Sequence, residues 1–246
     1  MIDLYSTPNG ASPNVYKILL LLEELELPYR PIEVAVHRGE QFRPEFLAIS
    51  PNNKVPAIVD HSPADGGAPI RVFESGSIML YLADKCRRFL PGVDAPRARA
   101  EVMNWVFWQM AGLGPNLGQL FHFKVYAREQ LPYALTRFGN EVDRLFAVME
   151  RRLAESPWLG GDEYSIADMI CFASSHEFRR VDLDFDRLPN FIAWHDRIRQ
   201  RPAYARAYDQ GRHQASVIGA SQFLEDRAWN ILFAQSSRSF EQAPDN

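Results

Sequence analysis

Cysteine is nearly missing from this chain. Only Cys86 and Cys171 occur in 246 residues, and they form neither a CxxC pair nor a zinc-binding spacing. A disulfide-stapled secreted framework is therefore excluded, as is redox chemistry by a thiol pair of the chain's own. A reducing, cytoplasmic compartment is the expected setting. Long apolar runs are missing too. The longest aliphatic stretch, Ile18 to Leu22, is far too short to cross a bilayer. Met1-Ile2-Asp3-Leu4-Tyr5 offers no basic segment and no long apolar one, so no signal peptide is read there. Runs of Lys and Arg are also absent: 27 basic and 31 acidic residues mix along the chain to a net charge of −4. That argues against a nucleic-acid or membrane-surface partner, and Arg151-Arg152 reads as a solvated helix face. His61, His122 and the other histidines show no metal-ligand spacing, so no metal is expected. There are no repeats and no low-complexity tract.

What remains is an ordinary globular composition, 46% hydrophobic and 24% charged, on a chain long enough for two modest domains. The first third alternates strand and helix signals. Ile2 to Tyr5 is a short apolar run ended by the turn residues Thr7, Pro8, Asn9 and Gly10. Val15, Ile18, Leu19, Leu22 and Leu25 then fall at helical spacing, entered through Ser12 as N-cap and Pro13 as first helical residue. Tyr29 to Val36 alternates like a strand, and Pro44 to Ala48 fits a short helix. Ala57 to Val59 and Ile70 to Phe73 read as a hairpin, and Ser75 to Lys85 as a helix with a broad apolar face. The order is βαβ, hairpin, helix: a mixed four-stranded sheet covered by helices.

After a linker at residues 91–96 the pattern is helical almost throughout. Leu135, Phe138, Val142, Leu145, Met149 and Leu153 trace one stripe. Ser165-Ile166-Ala167-Asp168 is a capping box with Asp in the usual Glu or Gln position, and Tyr164 and Met169 are spaced as its hydrophobic staple. Pro189 to Arg201 makes a further helix, stopped before Pro202. In the tail, Leu224, Ala228, Ile231 and Leu232 fit one amphipathic helix, and the chain from Ser236 reads as loose and polar.

Two short pieces carry chemistry. Asn53-Lys54-Val55-Pro56-Ala57-Ile58 puts a proline at the mouth of a strand, where a ladder donor would normally stand, which suits a cis Val55-Pro56 bond. Phe73-Glu74-Ser75-Gly76-Ser77 delivers an acid and a hydroxyl at a helix start, where free N–H groups attract carboxylates. Together they describe a seat for a small, extended, peptide-like acid.

These residues resemble the glutathione transferases. Further matches are Phe42-Arg43-Pro44-Glu45-Phe46-Leu47 leading into Ser50-Pro51-Asn52-Asn53-Lys54, then Trp105-Val106-Phe107-Trp108-Gln109, Gly112-Leu113-Gly114-Pro115, Gly118-Gln119, Pro132-Tyr133-Ala134, Arg137 and Trp158-Leu159-Gly160-Gly161. The combination is similar to the bacterial nu class and the fungal nitrogen-regulator-like branch, over roughly residues 1 to 212. The resemblance implies a thioredoxin-like glutathione-binding domain over 1–87, an all-helical domain over 97–212 and a C-terminal extension over 213–246. It also implies a homodimer that binds glutathione and reduces disulfides and organic peroxides.

On that reading the γ-glutamyl carboxylate sits on Ser75, and Glu74 pairs with the ammonium group. The cysteinyl unit pairs with the main chain of Val55 beside Pro56, as a small strand addition. Gln41 and Lys54 reach the glycyl end or main chain, and Arg137 matches a glutathione-contacting arginine of the family. The thiol then faces the first helix. Ser12 and Asn14 at its positive end would stabilise the thiolate, the reactive form of a group that titrates near ~8.5 when free. The family motif Thr-Pro-Asn-Gly has two partial copies here, Thr7-Pro8-Asn9-Gly10 and Ser12-Pro13-Asn14. Ser12 and Asn14 are assigned because they stand at the helix mouth with the family distance to Lys17.

Structural roles compete with each assignment. Ser12 could only cap its helix, Asn14 could be a turn residue, and Arg137 a solvated charge. Trp105, Trp108, Phe121 and Phe123 are core or substrate wall, with the Gly112 to Gly118 stretch expected to interrupt the helix beside them. Cys86 and Cys171 read as inert packing residues. Three functions are set against one another: a glutathione-dependent disulfide-bond oxidoreductase, a transferase conjugating electrophiles, and a non-catalytic glutathione-binding regulator. The extension after His213 is left open between a cover for the pocket, part of the dimer interface and a disordered tail.

Overall fold

β1 (Ile2–Ser6) lies inside a four-stranded sheet of order β2-β1-β3-β4. The computed structural model describes residues 1–7, 12–176, 184–211 and 226–240. The chain divides into two compact units, Met1–Ile78 with Ala207–Asn246, and Met79–Arg206.

In the first unit β1 crosses over through α1 (Pro13–Leu25) to the parallel strand β2 (Tyr29–Glu33). On its other side β1 pairs antiparallel with β3 (Ala57–Asp60), which pairs in turn with β4 (Ile70–Phe73). β2 is three residues shorter than its alternation predicts. Its register with β1 ends at Ser6 opposite Glu33, and the Val34 N–H closes on the Ser6 carbonyl at 2.8 Å. With no β1 left to pair, Val36–Arg38 coils into a 3₁₀ turn, followed by another at Glu40–Phe42 and the short helix α2 (Pro44–Leu47).

α1 buries every residue from Val15 to Leu22, including the one cation among them, Lys17. β3 is buried throughout, so the core lies between α1 and the sheet. α3 (Ser75–Cys86) follows β4 directly.

The second unit is helical. α4 (Pro96–Trp108) runs into α5 (Gly114–Phe121) with no break. The Gly112 to Gly118 stretch predicted to interrupt the helix instead continues it from a π turn at Gln109–Leu113, and a second π turn, His122–Tyr126, follows α5. In the first of these the Gln109 side chain turns inward to donate to Ser174 Oγ at 2.6 Å, and a Cβ at position 114 would stand 2.6 Å from its amide nitrogen, so a larger residue there would have to displace that side chain.

α6 (Pro132–Glu155) buries Val142, Leu145, Phe146, Met149 and Leu153 as its stripe predicts. Leu135 and Phe138, at the start of the stripe, are only half-buried, and Phe138 stacks on Phe123 with ring centroids 5.6 Å apart.

The capping box forms at α7 (Ile166–Ser175). Asp168, fully buried, accepts from the Leu159 N–H at 2.8 Å, the Ser165 N–H at 3.0 Å, the Ser165 hydroxyl at 3.2 Å and Trp194 Nε1 at 2.9 Å. Burial raises its carboxyl to about 6 against the pull of those four donors. α8 (Pro189–Arg199) stops two residues earlier than predicted, and Pro202 opens a further helix, α9 (Pro202–Gly211).

The tail helix spans Asp226–Phe233; Leu224 lies outside the described residues. Beyond it, where the polar composition suggests a loose chain, Ser237–Phe240 form a 3₁₀ turn whose Phe240 meets Phe42 edge-on at 5.6 Å. Among the described residues no helix is long and apolar enough to cross a membrane.

Candidate functional site

The first unit gathers most of the predicted site residues at the end of the sheet where β1 stops and α1 and α3 begin. Ser12 is the N-cap of α1: it is extended (φ −119°, ψ 131°), and its Oγ accepts the Asn14 N–H at 3.3 Å. That bond uses an acceptor lone pair of the hydroxyl and leaves its proton available for donation. The capping role and the thiolate role therefore draw on different valences of one side chain. No acidic residue stands in the first turn of α1, so nothing there offsets the positive end of the helix. Asn14 is exposed at the second helical position. Thr7 follows the end of β1, half-buried; Pro8, Asn9 and Gly10 lie outside the described residues.

Val55-Pro56 is cis. The β1–β3 ladder ends with Tyr5 opposite Ala57, so Val55 lies just outside it and the ladder uses neither its N–H nor its C=O. The Ser50 hydroxyl donates to the Lys54 carbonyl at 2.9 Å and steadies the loop that presents this edge. Pro56 is buried beneath it.

At the mouth of α3, Glu74 has φ +68°, in the left-handed region where a side chain costs about 1–2 kcal/mol. Its carbonyl accepts the Ile78 N–H at 2.9 Å, which makes it the N-cap, while its exposed carboxylate accepts from Asn52 Nδ2 at 3.1 Å. Apart from the Asn52 bond this carboxylate is given to solvent, and strain of this kind marks functional positions. Ser75 is buried, and its Oγ accepts from Lys17 Nζ at 3.2 Å.

Gln41, in the second 3₁₀ turn, is 1% exposed, yet its Nε2 and Oε1 have no hydrogen-bond partner among the described residues. A buried amide left so costs about 1–3 kcal/mol for each unmade group. Lys54 is at the surface, and partial desolvation holds its ammonium below the usual lysine range. Arg137 belongs to the second unit, exposed on α6, where its charge helps hold the Glu141 carboxyl low, after the larger contribution of the hydrogen bonds from Arg144. Trp105, Trp108, Phe121 and Phe123 of that unit are all half-buried, between the two roles their sequence leaves open. Cys171 is fully buried and Cys86 half-buried.

Two residues escape the sequence motifs. Lys17 serves in them only as a spacing mark, although a single cation in a run that is otherwise free of charge, residues 15–22, is a readable sign of a buried partner. Gln235 in the tail meets Lys54, and a partner 181 positions away leaves no local signal.

Known proteins agree with this architecture. The family model for the glutathione S-transferase N-terminal domain matches residues 11–85, and the one for the C-terminal domain residues 132–197. The disulfide-bond oxidoreductase YfcG of Escherichia coli is 53% identical over 207 residues, covering 84% of this chain and 94% of that protein. A glutathione transferase from Pseudomonas putida, solved with one glutathione disulfide per subunit, superposes with TM-score 0.76 at 33% identity over 84% of this chain and 90% of its own. The transferase URE2P8 of Phanerochaete chrysosporium, solved with oxidised glutathione, gives TM-score 0.79 at 32% identity over 87% and 96%. Sheet order, helical second unit and sequence identity together leave one assignment: the chain belongs to the glutathione S-transferase family.

Proposed function

We propose that this chain is a glutathione-dependent disulfide-bond oxidoreductase of nu-class type, acting as a cytoplasmic homodimer. The observation that carries the reading is the pairing of the free main-chain edge at Val55, just outside the β1–β3 ladder, with the strained Glu74 at the mouth of α3. One side offers main chain to a peptide, the other a carboxylate and a helix start to an amino acid head group. Glu74 takes the γ-glutamyl ammonium, while Ser75, with the Lys17 ammonium behind it, takes the carboxylate. Val55 pairs with the cysteinyl unit, and Gln41 and Lys54 receive the glycyl end. The identity to YfcG, itself named a disulfide-bond oxidoreductase, supports this reaction over conjugation.

The chemistry is thiol–disulfide exchange. The thiolate of bound glutathione, stabilised by the Ser12 hydroxyl, Asn14 and the α1 end, attacks one sulfur of the substrate disulfide. The other sulfur leaves as a thiolate and takes up a proton. A second glutathione thiolate then attacks the glutathione sulfur of the mixed disulfide, giving glutathione disulfide and the second substrate thiol. Two thiols of glutathione are oxidised as one disulfide is reduced, and Cys86 and Cys171 take no part. An organic peroxide is a second oxidant of the same thiolate, reduced to alcohol and water at the same two-glutathione cost. A homodimer is supported by the exposed edge at β4, where Phe73 is 38% exposed.

The deciding assay is reduction of hydroxyethyl disulfide by glutathione with the purified protein. Turnover well above the uncatalysed rate is expected. No turnover, together with rapid conjugation of an aryl halide, overturns the reading in favour of a conjugating transferase.

A further inference from the structure

The C-terminal segment is the part of the first unit that the proposed reaction does not use. Helix Asp226–Phe233 packs against the Val36–Arg38 turn, and Phe240 lies against Phe42, next to the buried Gln41. Between these two anchors Gln235 reaches the loop before β3. Its Oε1 accepts from Lys54 Nζ at 3.0 Å and from Asn53 Nδ2 at 3.2 Å. Its own Nε2 donates to the Ile231 carbonyl at 2.8 Å, which fixes the amide with its oxygen toward the lysine. Asn53 is buried and left-handed (φ +47°), so its side chain is aimed by the backbone. One ammonium and one amide donor thus converge on a single sp² oxygen, the arrangement that binds one oxygen of a carboxylate.

We propose that Gln235 is a built-in competitor for the glycyl carboxylate of glutathione, its amide oxygen holding the Lys54–Asn53 seat in the free protein and yielding it when the tripeptide binds. The inference rests on the glutathione reading above. Lys54 is charged in either bond, but a carboxylate offers it a full opposite charge where the amide oxygen offers only a dipole, so a carboxylate displaces the amide oxygen from Lys54. Partial desolvation of the lysine sharpens that preference, since a less hydrated ammonium gains more from an anion than from a dipole. The competitor is tethered, so it is present at every glutathione concentration and weakens binding by a constant factor, the reciprocal of the fraction of molecules with the seat open. Gln235 lies past the last residue of the tail helix, so it can leave Lys54 while the helix keeps its own packing on the Val36–Arg38 turn.

Calorimetric titration of full-length protein with glutathione and with γ-glutamylcysteine, which lacks the glycine, tests this. Gln235→Ala is expected to bind glutathione about three- to tenfold tighter than the unaltered chain, the factor that corresponds to removing one or two net hydrogen bonds. Gln235→Glu, which sets a permanent carboxylate beside Lys54, binds it at least about tenfold more weakly. The dipeptide binds the unaltered chain and Gln235→Ala equally. Unchanged or weaker glutathione binding in Gln235→Ala overturns the competition, and so does an equal gain for the dipeptide, which would make the segment a general shield. Glu74→Gln separates the two levels of the argument. Binding by the unaltered chain that this variant loses supports the glutathione seat whatever the Gln235 variants do. No binding by any variant overturns the seat and the competitor together.

Discussion

Glu74 concentrates the residue-scale argument. A left-handed backbone (φ +68°) suits glycine, and glutamate persists there at an energetic cost. Glu74→Gly is therefore expected to keep the fold's stability or raise it by up to about 1 kcal/mol, while glutathione affinity falls at least about tenfold. Chemical denaturation and calorimetry on the same preparation read both; a stability loss of that size would show that the carboxylate is structural. Ser12 yields the opposite pairing, because capping and chemistry share one hydroxyl. Ser12→Ala should cost about 1 kcal/mol of stability and move the pH profile of disulfide reduction to higher pH, as the thiolate loses a donor. Ser12→Thr should restore both. A stability loss with an unmoved pH profile would leave Ser12 as a cap alone.

At the scale of elements, the α7 cap joins more of the second unit than a four-residue box suggests. Its Asp168 collects donors from Leu159, Ser165 and Trp194, so one carboxylate ties together the preceding loop, the start of α7 and α8. Asp168→Asn replaces one acceptor oxygen with a donor facing N–H groups, and a loss of about 2–4 kcal/mol in unfolding free energy is expected. A loss below about 0.5 kcal/mol would mean that the surrounding loop rearranges freely. Much at this scale was readable in the sequence. Ser12 with Pro13, Ser165 with Asp168, and the Val55-Pro56 strand mouth are local signals with local causes, and each element starts where those residues stand. The exceptions have long-range causes. β2 stops where its neighbour stops, and the widened turn at Gln109 has its side chain tied to Ser174, 65 positions on. The φ of Glu74, the Lys17–Ser75 bond and the Gln235–Lys54 contact are properties of the folded chain that no window of sequence contains.

For the whole molecule, the scarcity of cysteine becomes a statement about mechanism. A disulfide reductase whose two thiols are half-buried and fully buried has to take its reducing equivalents from its cosubstrate. A Cys86→Ser, Cys171→Ala double variant should keep hydroxyethyl disulfide reduction within about twofold, at a stability cost of about 1 kcal/mol for the small void left at Cys171. Loss of turnover in a folded double variant would place a protein thiol in the reaction.

The widened turns of the second unit bear on how such a chain changes length. An extra residue in a regular α-helix rotates everything beyond it by about 100°. A π turn absorbs the extra residue in place and leaves the flanking faces where they were. Gln109–Leu113 and His122–Tyr126 are two such turns, on either side of α5, whose Leu117 and Leu120 are buried. A one-residue deletion inside either turn tightens it to ordinary helix and keeps both leucines inward, whereas the same deletion within α5 turns one of them out to water. Single-residue deletions are thus tolerated at the two turns and rejected between them.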